Sequence, residues 1–159
     1  CFQVGLDEYD GEGILKVAPG DGKSSSMFDM VDPPDNYDTE DYLITVMRFD
    51  TWANTCANKD SYEYVGIDLS LFDTLQLDTQ GNEMEILKGM GKYLQDFKFL
   101  CVELSTIPIY VGETPGLEVA EWLTEQGFIL DSPIYSHNDA FFIRSDIKSH
   151  SDRVYLGRA

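Results

Sequence analysis

Residues 75–90 read LQLDTQGNEMEILKGM, and this stretch decides the fold. Leu75 and Leu77 form an apolar run that ends in Asp78, and Gly81 supplies a turn. Glu83 and Glu85 then open a helix whose apolar ladder is Met84, Leu87 and Met90. The pattern is a strand, a carboxylate at its tip, and a helix. In open α/β sheets ligands sit at the C-terminal tips of strands, so Asp78 is placed to meet a ligand or a metal. Asp, Thr, Gln and Gly are also ordinary turn and N-cap residues, and that reading stands beside the functional one.

The flanks extend the alternation. Residues 2–6 (FQVGL) and 12–18 (EGILKVA) read as short strands, and residues 43–49 (LITVMRF) as a clear one. Residues 19–42 hold Pro19, Gly20, Gly22, Ser24, Ser25, Ser26, Pro33 and Pro34, so they read as a long loop. The Ser run suits an anion site or a flexible connector. Asp50 is expected to cap a short helix over 51–59, and a second helix is expected over 82–95. Residues 98–104 (KFLCVEL) are an aromatic and β-branched strand that ends beside Glu103 and Ser105. A helix over 117–126 stops at Gly127. FILDSPIY and AFFIR, joined by Ser136–Asp139, read as an antiparallel hairpin. The strands at 74–78 and 98–104 are separated by one helix and should run parallel.

The totals bound the class. The chain has 159 residues, the size of one α/β domain over 1–159, and its 43% hydrophobic content suffices for a core. A net charge of −18 repels phosphate backbones and anionic lipid, so neither nucleic acid nor a membrane is an expected partner. Cys1, Cys56 and Cys101 lie far apart, without metal-ligand spacing or a nucleophile signature. Cys101 reads as a buried small hydrophobe, and a reducing, cytoplasmic compartment is expected. No apolar run approaches the ~18 residues of a membrane span, and no signal peptide is read. The first residue is Cys, so a start within a longer reading frame is expected, with processing of the N-terminus as the alternative.

LQLDTQGNEMEILKGM, then FLCVELS, EVAEWLTEQGF and NDAFFIR, closely resemble the FkbM-type methyltransferases, whose stretch reads KIDVEG-x-E-x-x-VLKG before an xxxEV strand. The likeness extends to Gly11–Lys16, Ser24–Ser26 and VMRFDTW at 46–52, and so spans nearly all of residues 1–145. The resemblance implies a class I S-adenosylmethionine-dependent fold with a Rossmann-like sheet, here partial and mixed with the C-terminal hairpin. It implies methyl transfer to an oxygen of a sugar, small-molecule or polyketide-like acceptor. Two departures stand out. Gln76 replaces the family's Lys, and no G-x-G-x-x-G stretch occurs here, the family's Gly-rich cofactor loop lying upstream of residue 1. The chain thus resembles the C-terminal, acceptor-side portion. Alone it is expected to bind S-adenosylmethionine weakly or not at all and to be inactive.

On this basis Asp78 and Glu103 are the candidate catalytic residues, facing each other across neighbouring strand tips. Two carboxylates that meet there would share a proton or take a cation; no metal site is expected. Asp78 and Gln80 are candidates for cofactor contact. Glu83, Ser105, Tyr110 and His137 are candidates for the acceptor side, although Glu83 also suits a helix cap and His137 an exposed turn. His150 in the polar tail is expected to be uninvolved. Without a first strand, the strand at 74–78 would keep an unpaired edge. Self-association is expected to cover it, or else the strands from 2–18 and 43–49 fold across it. A non-catalytic α/β binding or oligomerisation module is the alternative function.

Overall fold

The computed structural model describes residues 2–60, 63 and 65–147; Cys1, His150 and the rest of the tail lie outside these. In chain order the elements are β1 (Gly5–Leu6), β2 (Gly11–Val17), β3 (Glu40–Met47), α1 (Phe49–Thr55), β4 (Thr74–Leu77), α2 (Glu83–Gly89), β5 (Phe99–Leu104), α3 (Gly116–Glu125), β6 (Phe128–Leu130) and β7 (Asn138–Arg144). Single 3₁₀ turns lie at Leu69–Leu71 and Gly91–Asp96.

The strands form two sheets, not the one mixed sheet expected. One is β1-β3-β2 and the other is β4-β5-β7-β6. In the second, β4 and β5 are parallel as expected, and β7 runs antiparallel to both β5 and β6. Leu100, Cys101 and Val102 of β5 are all buried, as suits an inner strand covered on both faces. Burial also pushes the Cys101 thiol up from its ordinary range. The core closes where Leu87 of α2, Met90 just after it, and Val119 and Leu123 of α3 join Phe128 and Phe142 of that sheet in one buried cluster.

Three local expectations are corrected. The helix expected over 82–95 ends at Gly89 and gives way to a 3₁₀ turn. The break falls at Gly91, which adopts φ +53° with Asp50 packed so closely that a Cβ would lie 2.6 Å from its Oδ2. Asp50 does not cap α1. It sits inside the first turn and takes the Arg48 guanidinium in two bonds of 2.8 and 2.7 Å, which hold its carboxyl below the usual range. The Ser run is not a free connector. The Ser25 hydroxyl donates to the Gly22 carbonyl and accepts from the Ala18 N–H. Ser26 is buried and anchors the loop to the turn after β4.

Among the described residues no strand pairs with the far edge of β4, so β1, β2 and β3 leave it open. A cleft of about 830 Å³ lies there, between Gln76 and Leu77 on one side and Leu6, Leu43 and Ile44 on the other. Among the described residues none that lines it is charged, although a quarter of the chain is charged. Among the described residues no helix is long and apolar enough to cross a membrane.

Candidate functional site

Strand register assembles the site. Leu77 of β4 pairs with Val102 of β5, so the next residues, Asp78 and Glu103, emerge side by side at one sheet end. β7 runs the other way, with Asp139 opposite Glu103 and Asn138 opposite Leu104. The turn before β7 therefore delivers His137 to the same end, with Nδ1 3.3 Å from Glu103 Oε1. His137 holds a left-handed φ of +60°, which a non-glycine residue rarely adopts.

Gln80 joins these groups. Its amide nitrogen donates to Asp78 Oδ1 at 2.7 Å and to Glu103 Oε2 at 2.9 Å. Its amide oxygen accepts from the Tyr110 hydroxyl at 2.7 Å. Its backbone carbonyl accepts from the Ser26 hydroxyl at 2.6 Å. Gln80 also has a left-handed backbone, φ +56°. Gly81 follows at φ +101° with the Tyr110 ring against it, and a Cβ there would lie 3.0 Å from that ring. Glycine is what lets the turn and the ring pack together.

The loop that carries Tyr110 is tied at both ends. Glu113 Oε2 accepts from the Ile109 and Tyr110 N–H groups. Val31 N–H donates to the Ile109 carbonyl and Val111 N–H to that of Asp29. Burial pushes the Tyr110 phenol up to about 12, so near neutral pH it keeps the proton it donates to Gln80.

Glu103 is the group whose charge is most altered. Burial raises its pKa first, a hydrogen bond to Asp78 and the Asp78 charge raise it further, and Glu83 and Asp139 add to the effect. The result is about 7, where a carboxyl group exchanges a proton readily at neutral pH. Asp78 is exposed at the rim and Glu103 is half-buried behind it.

Glu83 is buried and turns inward, accepting from the N–H groups of Thr79 and Gly81 and from the Thr79 hydroxyl. This is the helix-start role that its place in the sequence suggests. Ser105 is buried with its hydroxyl 3.1 Å from that of Ser136. Glu83, Glu103, Ser105, Tyr110 and His137 all border one small cavity of about 10 Å³. Asp78 stands outside it and meets the group through Gln80 and through its own hydrogen bond to Glu103. Ser26 and Glu113 are the supporting residues that sequence reasoning missed. Nothing in the spacing of the Ser run ties it to residue 80, 54 positions away. Among the described residues no cluster of three or more His, Cys, Asp or Glu is arranged to hold a metal ion.

No curated protein and no solved structure matches the chain significantly. The pattern of the methyltransferase FkbM domain matches residues 4–130, which include Asp78, Gln80, Glu103 and Tyr110 but not His137. The match covers well over half of the 159 residues, and the chain belongs to the FkbM methyltransferase family.

Proposed function

We propose that this chain supplies the acceptor side of an oxygen-directed methyltransferase, with the Asp78–Glu103 pair as the group that takes the acceptor proton. The observation that carries this is the shared amide of Gln80, which holds a carboxyl that titrates near neutrality beside a second, exposed carboxylate. A hydroxyl at the rim would donate first to Asp78. Its proton would then pass to the pair, leaving the oxygen lone pair free to attack. His137, half exposed and in contact with Glu103, borders the route by which that proton leaves to solvent. A sugar or another small hydroxyl compound is the substrate class.

Members of this family generally use S-adenosylmethionine, which supplies the methyl group. The described residues do not make a full seat for it. The cavity at the carboxylate pair holds about 10 Å³, far below a ligand pocket of ~300 Å³ or more. The 830 Å³ cleft is large enough but has no carboxylate for a ribose diol. Gln80, a candidate for cofactor contact, already uses its amide nitrogen and oxygen on neighbouring side chains.

One observation favours a second reading. The open edge of β4 beside an uncharged cleft suits an α/β module that binds through that edge. Product analysis separates the two. The chain, expressed with whatever coding sequence precedes residue 1, is incubated with S-adenosylmethionine and a panel of hydroxyl compounds. Mass spectrometry should find a gain of one CH₂ on an acceptor oxygen. No methylated product from a folded protein across the panel would favour the binding module.

A further inference from the structure

We propose that Gln80 is the positioning residue of the Asp78–Glu103 pair: its amide nitrogen, clamped from two sides, makes the two carboxyl groups a single proton-sharing unit. This deepens the methyltransferase reading and rests on it, since it concerns the group assigned there as the proton acceptor. Three features of Gln80 carry the inference.

The first is the orientation of the amide. Two carboxyl groups accept from its nitrogen, at 2.7 and 2.9 Å, and a phenol donates to its oxygen. Reversing the amide would set its oxygen against both carboxyl groups, so the network allows one orientation. The second is the backbone. Its left-handed φ of +56° aims the side chain inward, and the buried Ser26 holds its carbonyl at 2.6 Å. A non-glycine residue keeps such a conformation only where its surroundings impose it. The third is chemical. A carboxylate at residue 80 would have no N–H to offer, and three acidic groups would repel. The amide offers two donors and no charge, so it draws the pair together without neutralising it.

The surroundings of Glu103 set what the pair can do. It is faced by Asp78 and Gln80 from the end of β4 and the following turn, Glu83 from α2, Asp139 from β7 and His137 from the turn before β7. Tyr110 borders the same small cavity as Glu103, feels its charge, and hydrogen-bonds to Gln80. Asp78 is the neighbour that Gln80 shares with Glu103, beside the hydrogen bond between the two carboxyl groups. Removing the amide should therefore weaken the coupling between Asp78 and Glu103 while leaving the other contacts of Glu103 in place.

The test measures that coupling and uses neither methyl donor nor acceptor. The side-chain carboxyl of Glu103 is titrated by carbon-13 NMR in the full chain. Asp78→Asn should lower its midpoint by about one pH unit, because a neighbouring negative charge is lost. The same change is then made with Gln80→Met, which keeps length and removes the donors. Gln80→Gly serves beside it, because glycine accepts the left-handed backbone and so protects the fold. The proposal predicts that Asp78→Asn moves the Glu103 midpoint by less than half as much in either background. A shift of half or more, or no shift in the parent chain, overturns it. Coupling in a protein that transfers no methyl group even when expressed with whatever coding sequence precedes residue 1 would leave Gln80 in its role and remove the methyltransferase reading. Methyl transfer without coupling would do the reverse.

Discussion

Replacing Glu103 with Gln should make the protein more stable at pH 8 and leave it nearly unchanged at pH 4. The sign comes from the direction of the shift. Glu103 titrates at about 7 in the folded chain against an ordinary value of 4.5. Below pH ~4.5 it is protonated in both states and contributes no pH dependence. As pH rises through that value, the unfolded chain ionises while the folded chain holds its proton. Folding stability therefore falls until pH passes about 7, and the loss is then complete. At 1.36 kcal/mol per pH unit, a gap of about 2.5 units gives about 3 kcal/mol as a ceiling. The side chain is 20% exposed, and water at the strand tip lowers this to about 1–3 kcal/mol. Gln resembles the protonated carboxyl: its oxygen can accept from Gln80 and its nitrogen can donate to Asp78. The assay is urea unfolding of both proteins at unit steps from pH 4 to pH 8. Only the difference between them is read, because Glu83 and Glu85, raised by burial, and Asp50, held low by Arg48, titrate in both. A difference that does not grow with pH, or that grows in favour of Glu103, refutes the reasoning.

Leu123 of α3 is fully buried, and Leu123→Ala should cost about 2–5 kcal/mol in the same unfolding assay; a loss under about 1 kcal/mol would mean that α3 is not packed as described. Calorimetric titration of the 159-residue chain with S-adenosylmethionine should show little or no binding, because no Gly-rich turn is present to approach the cofactor backbone. A low-micromolar dissociation constant, roughly −8 kcal/mol, would contradict this. The open edge of β4 should drive self-association that strengthens with salt, as screening relieves the repulsion between chains of charge −18. Sedimentation showing a strict monomer at high concentration, in low and high salt alike, would rule it out.

Much of the sheet that carries the site was legible in the sequence, because its strands obey local rules. β4, β5 and β7 are short apolar or aromatic runs bounded by turn residues, and one helix between β4 and β5 requires a crossover to a parallel neighbour. The division into two sheets was not legible. It depends on which strand edges meet, and nothing local to residues 5–6 or 40–47 says that they bypass β4. Asp50 departs for a similar reason: Asp is a good N-cap, but Arg48, two residues before it, offers a stronger bidentate partner. At the site, the strand tips implied that Asp78 and Glu103 would be neighbours. The bridge through Gln80 was hidden, because it needs a left-handed backbone, a buried Ser26 and a phenol 30 residues away.

The central claim is that the Asp78–Glu103 pair takes the acceptor proton during methyl transfer. Its most direct test is the pH profile of methyl transfer, for the chain expressed with whatever coding sequence precedes residue 1 and for its Glu103→Gln and Asp78→Asn variants, once an acceptor is in hand. The rate of the parent should rise with pH through an inflection near 7. Glu103→Gln should lose that inflection and fall by about 100-fold or more, as removal of a general base does. Asp78→Asn should keep an inflection moved to lower pH, because Glu103 no longer faces its charge. A Glu103→Gln variant that is fully active, or that keeps the parent's profile, would contradict the account.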